Sequence, residues 1–164
     1  MSRNNGRGNQ QRRESETETP AAATAGDQNG DIPGGIALVD ASNVAHSTEG
    51  AEARLANIIA VRDKLRSEGV EPVLVADAAL RHQIDDRVGY ERLVDAGIVR
   101  QAPAGTDADY FILSFARELD ARIVSNDRFR DRAKDFPDAG DRLIRYMIVQ
   151  DEVVFERRTR RRED

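Results

Sequence analysis

Three short apolar runs in this sequence lead into an aspartate: IALVD at 36–40, VLVAD at 73–77 and RIVSND at 122–127. Short unbroken runs of this kind are strands buried on both faces, as in parallel sheets. The stretches between them have helical spacing. Leu55, Ile58, Ile59, Val61 and Leu65 predict a helix over 51–67, with Arg62 its polar exception and Gly69 its stop. Residues 81–95 predict a charged helix weakened by Gly89. TDADYFILSFARELD predicts an apolar helix carrying Tyr110, Phe111, Leu113, Phe115 and Leu119. GIVRQAPAG reads as a shorter strand, ASNVAHSTEG as a loop and RFRDRAKDF as a short helix. RLIRYMIVQDEVVFE reads as a fifth strand and a closing one, turning near Gln150 and Asp151. Strand and helix alternate throughout. That predicts an α/β fold of three layers, with a mostly parallel five-stranded central sheet and helices on both faces.

The domain should occupy residues 34–156. Residues 1–33 are rich in Gly, Asn, Gln, Arg, Ser and Thr, and hold too little apolar surface to offset the entropy of ordering. They are expected to be a disordered polar tail, and 157–164 a basic C-terminal tail. No stretch is apolar for long enough to span a membrane, and the N-terminus has no signal-like apolar core. A cytoplasmic protein is the expectation.

In a parallel α/β sheet, ligands sit outside the carboxyl ends of the strands, where the strand order reverses. The strand-end acids Asp40, Asp77 and Asp127 would share that edge. Asp107 and Asp109, at the start of the TDADYFIL helix, would face it if the preceding loop returns across the sheet. Gathered carboxylates repel one another, and a divalent cation relieves the repulsion. There is no cysteine, and the only histidines are His46 and His82. Thiolate and histidine-rich sites are therefore excluded, and any metal must be held by oxygen, which favours Mg2+ or Mn2+ over zinc. Such a cation, with several aspartates and no histidine, suffices for phosphodiester hydrolysis.

Blander readings apply to each acid singly. An aspartate often ends a strand because it starts a turn, above all at Asp77. Thr106 and Asp109 also fit a capping box, in which Asp109 only satisfies backbone donors. Asp131 lies four residues beyond Asp127 and is either a further carboxylate at the rim or a surface partner of Arg128 or Arg132. The Asn43 amide either orients a phosphate, hydrogen-bonds Asp40 or merely shapes its loop, and Ser42 and Ser125 share that ambiguity.

The pair LVDASNVA and IVSNDRFRD resembles the NYN-type PIN domains, most closely the Regnase-like ribonucleases. There the first motif is an apolar strand followed by D-G-S-N-V-A, and the last is S-N-D followed by an aromatic, Arg and Asp. The resemblance covers about residues 36–155 and rests on two separated motifs. It implies a PIN-like five-stranded fold, Mg2+-dependent endoribonuclease activity, and single-stranded or looped RNA as substrate. It also implies that Asp40, Asp109 and Asp127 are the catalytic, metal-holding acids. Asp131 matches the closing acid and Asn43 the asparagine of the first motif. The family's adjacent Asp-Asp pair is Ala108-Asp109 here, with Asp107 one step earlier. Ala41 stands for a glycine, and the zinc finger of the animal Regnases is absent, since there is no cysteine.

RNA would need cations and stacking groups near the acids. Arg128 and Arg130 flank the S-N-D turn, Arg81 follows the second strand, and Ser125 and Asn126 lie in the turn itself. Phe129 or Tyr110 could stack on a base, or both could be core. The charge balance is unusual for an RNA binder. Residues 1–33 carry −1 and 157–164 carry +3, which leaves −7 on the domain. Two alternatives stay open: an RNA-binding PIN-like domain without catalysis, motivated by Ala108, and a toxin-type PIN ribonuclease. A homodimer is compatible with the sequence. A phosphatase using D-x-D at the first strand is disfavoured by Asp40-Ala41-Ser42. A dinucleotide-binding fold is disfavoured by the lack of G-x-G-x-x-G there.

Overall fold

The computed structural model describes residues 35–48, 50 and 52–156. Both expected tails lie outside the described residues. The chain runs β1 (Ile36–Asp40), α1 (Ala41–Ala45), α2 (Leu55–Ser67), β2 (Glu71–Ala76), α3 (Arg87–Asp95), β3 (Val99–Gln101), α4 (Ala108–Leu119), β4 (Arg122–Val124), α5 (Ala139–Arg142), β5 (Leu143–Ile144), β6 (Tyr146–Val149) and β7 (Glu152–Phe155). The first five strands form one sheet in the order β3-β2-β1-β4-β5. Each neighbouring pair in it is parallel, so the expected mostly parallel sheet is wholly parallel. The last two strands form a separate antiparallel hairpin.

Alternation along the strands divides the core into two layers, as the two-residue period of a strand requires. Ala37 and Val39 of β1, Leu74 and Ala76 of β2 and Val124 of β4 face α1, α2 and α3, where Val44, Ile58, Val61, Leu65 and Tyr90 are buried. Leu38, Val75 and Ile123 face α4, whose Ile112, Leu113 and Ala116 pack with Phe129 and Phe136. Tyr146 and Val153 of the hairpin extend the first layer. Among the described residues, no helix is long and apolar enough to cross a membrane.

Helix ends follow local chemistry. After α2, Gly69 takes a φ of +78°. It lets Val70 N–H reach Leu65 O at 3.0 Å and Gly69 N–H reach Arg66 O at 3.0 Å, the paired bonds of a Schellman cap. Three local expectations need correcting. The loop expected after β1 begins with a helical turn, α1, because Asp40 caps it by accepting from Asn43 N–H at 3.2 Å. The helix expected over 81–95 is a 3-10 turn (Leu80–His82) followed by α3, whose start is fixed by Asp86 accepting from Gly89 N–H at 2.9 Å. RFRDRAKDF forms only a 3-10 turn at Arg130–Arg132. Phe129 sits in the left-handed region at φ 51°, and Asp127 Oδ1 holds its N–H at 2.8 Å, so the chain turns before it can coil.

Candidate active site

The sheet order reverses between β1 and β4, and the residues that leave these two strands meet at their carboxyl ends. Asp40 ends β1 and is 7% exposed. Its two oxygens have separate partners: Asn43 N–H on Oδ1 at 3.2 Å and the Ser125 hydroxyl on Oδ2 at 3.0 Å. Ser125 Oγ in turn accepts from Asp127 N–H at 3.1 Å, so one hydroxyl joins the two strand-end acids. Asn43 Oδ1 accepts from Asn126 N–H at 3.0 Å and from the Tyr146 hydroxyl at 2.8 Å. The Asn126 side chain bonds the backbone of Tyr146 in both directions, donating to its O at 2.9 Å and accepting from its N–H at 3.1 Å. Asn43, Ser125 and Asn126 therefore hold the β1 and β4 turns and the hairpin together. The Asn43 oxygen, the Ser125 hydroxyl and the Asn126 amide are each engaged within this frame.

Tyr146 escaped the sequence reading. It looked like one more apolar residue in a strand, and nothing in RYMIV says that its hydroxyl ends on Asn43, 103 positions away.

Asp109, in the first turn of α4, and Asp127 lie near enough to act on the Asp40 charge, and Asp131 of the 3-10 turn acts on Asp109. Burial pushes the Asp109 carboxyl above its ordinary range, and the negative charges of Asp127, Asp131 and Asp77 push it further. Burial likewise pushes Asp40 up to about 6, against the two hydrogen bonds that favour its charge, with Asp109 and Asp127 adding to the rise. Among the described residues, the charges acting on these two groups are negative, and like charges held together raise one another's pKa.

Each remaining acid has local work. Asp107, not Thr106, caps α4, accepting from Asp109 N–H at 3.0 Å and Tyr110 N–H at 3.2 Å. The capping-box reading of Asp109 therefore falls away, because the cap belongs to its neighbour. The second Asp107 oxygen is ion-paired with Arg132. Asp77 Oδ1 accepts from Ala79 and Leu80 N–H at 3.0 and 2.9 Å, which is turn chemistry, while Ser42 Oγ receives its N–H at 3.1 Å. Among the described residues, no three acids or histidines lie together closely enough to form a ready ligand cage. The donor set still suits Mg2+, a hard cation that takes one or two direct carboxylates and keeps much of its water.

The candidate RNA-contact residues separate clearly. Arg128 and Arg130 are exposed and have no ion-pair partner among the described residues. The Arg81 guanidinium is bonded to Glu91 at 3.0 Å. Phe129 is 2% exposed and belongs to the core, whereas Tyr110 is 50% exposed. Of the two aromatics considered for stacking, only Tyr110 is available.

A family model for the Zc3h12a-like ribonuclease NYN domain matches residues 36–164. The chain belongs to that family. Two structures of the nuclear protein-only RNase P 2 of Arabidopsis thaliana share its fold. They align with TM-scores of 0.60 and 0.61 at 22% and 21% identity, over 74% of this chain. The chain spans only 29% of the length of those proteins. No curated protein matches the sequence closely enough to count as a relative.

Proposed function

We propose that this domain is a Mg2+-dependent endoribonuclease whose cation is held by Asp40, Asp109 and Asp127, with Asp131 at the rim. One observation carries the reading. In a chain of a ribonuclease family, Asp40 ends the strand at the switch point of the sheet with its pKa raised by burial and by the charges of Asp109 and Asp127, and Asp109 is raised in the same way by burial and by Asp127, Asp131 and Asp77. When bound, Mg2+ (or Mn2+) lowers the pKa of a water molecule and stabilises negative charge building on the phosphate. The chain's own residues supply the frame. Ser125 and Asn43 hold the Asp40 carboxylate in one orientation, and the Asp127 backbone is tied to the same hydroxyl. Arg128 and Arg130, just past Asp127, are placed to meet flanking phosphates. Asp107 is left out of the ligand set, because its oxygens serve the α4 cap and Arg132.

The test is cleavage of single-stranded and hairpin RNA by the full chain in Mg2+, against EDTA and against Asp127→Asn. Cleavage in Mg2+ only, lost by at least a hundredfold in the folded variant, is expected. A folded wild type that leaves every RNA intact in both Mg2+ and Mn2+ sinks the proposal. Ala108, where the family carries a second acid, favours one other reading: an RNA-binding domain without catalysis. That reading requires RNA binding unaffected by chelators and by Asp127→Asn.

A further inference from the structure

A groove of about 540 Å3 runs along the outer side of α4, lined by Tyr110, Ser114, Arg117, Glu118, Asp135 and Phe136. It begins at Tyr110, which leaves the same first turn of α4 as Asp109. Its two aromatic rings differ in access. Phe136 is 5% exposed, with the Arg117 guanidinium lying over its face at 4.6 Å. Tyr110 meets Phe136 edge to face, at 5.4 Å between centroids and 72° between planes, and stays half exposed. The free aromatic surface of the groove is therefore that of Tyr110.

The charges select among ligands. Arg117 is already bonded to Asp138 Oδ1 at 2.8 Å and Asp135 O at 3.1 Å, and Glu118 and Asp135 line the walls. Among the described residues, the groove offers no free cation for a phosphate. It offers a flat π surface, a hydroxyl at Ser114 and carboxylate acceptors, which suit the face and the N–H edge of a nucleobase. The phosphate-binding cations, Arg128 and Arg130, lie beyond Asp127 instead.

We propose that this groove is a nucleobase subsite, in which an unpaired base of the RNA stacks on Tyr110 while a neighbouring phosphodiester lies at Asp109. The inference rests on the ribonuclease reading and narrows it. A base inside a duplex has no free face, so the substrate is unpaired at the cut.

The chain has no tryptophan, so Tyr110→Trp installs a lone reporter at the stacking position. The full-length variant is titrated in EDTA with a short oligoadenylate, alone or annealed to its complement. Quenching by the single strand only is expected. Tyr110→Ala weakens binding of the labelled single strand about fivefold or more, and Tyr110→Phe keeps it. In Mg2+, Tyr110→Ala raises KM and leaves kcat within a factor of two. Unfolding curves of the alanine variant matching wild type exclude a folding defect. Unchanged emission at saturating RNA, or wild-type affinity in folded Tyr110→Ala, overturns the subsite. Cleavage by wild type with Tyr110 silent defeats the subsite alone, and quenching without cleavage defeats the ribonuclease reading alone.

Discussion

Asp40 is held in a state that is poor for stability, because burial disfavours its charge. Burial pushes its pKa from 3.8 up to about 6. A folded-state pKa above the unfolded one means that the native protein keeps a proton which the unfolded chain has released. Stability therefore falls as pH rises from about 4 to 6, and the penalty is complete above that window. Asp138 works in the opposite sense. Bonds to Arg117 and Arg142 lower it to about 2, so its effect appears only as pH falls below 3.8, outside the window of Asp40. In EDTA, Asp40→Asn is expected to stabilise the protein at pH 8 by about 2 kcal/mol, and by much less at pH 4. Urea unfolding at the two pH values measures this. The amide can still accept from Asn43 N–H, and Ser125 Oγ can accept from both the amide and Asp127 N–H. A variant no more stable than wild type at pH 8 would mean that Asp40 is not strained in the metal-free protein. If the proposed metal-dependent cleavage holds, the same change should abolish it.

At the level of elements, Gly89 shows why propensity alone misleads. In sequence it weakens α3, and Gly→Ala in a helix ordinarily gains up to about 1 kcal/mol. In the fold it is the point where α3 meets the start of α2. A Cβ there would lie 2.5 Å from Asp86 Oδ2 and 2.7 Å from Leu55 Cδ2. Asp86 caps α3 through Gly89 N–H, and the adjacent Asp85 accepts from Leu55 N–H at 2.9 Å, capping α2 from 30 residues away. Gly89→Ala should therefore destabilise, by about 1–3 kcal/mol, read as a lower urea midpoint with unchanged slope. A stabilised variant would show that the caps and Leu55 yield easily. The strands and long helices were legible because their apolar spacing is local. The short α1 and the turn after β4 were not, because they depend on Asp40 and Asp127 bending their carboxylates back onto nearby backbone.

For the whole molecule, the strand-end acids could be read from sequence because a parallel sheet carries every strand's carboxyl end to one edge. That Asp109 joins them depends on α4 crossing from β3 to β4 over the sheet, and sequence order does not show that return. The frame around Asp40 was hidden for the same reason, since Ser125 reaches Asp40 from 85 positions away and Tyr146 reaches Asn43 from 103. The charge distribution then limits how RNA can be held. A domain carrying −7 repels a polyanion, and the cations that follow Asp127 directly in the chain are Arg128 and Arg130. Each phosphate contact to a single strand contributes about −0.7 to the slope of log affinity against log salt. Replacing both arginines by alanine should therefore make the slope shallower by about 1.4 and leave stability unchanged, because neither is ion-paired among the described residues. Measuring the difference between wild type and the double variant cancels any share due to the C-terminal arginines. An unchanged slope would place the RNA backbone away from the Asp127 turn. It would also remove the reason for drawing the strand from Tyr110, past Asp109, to Arg128.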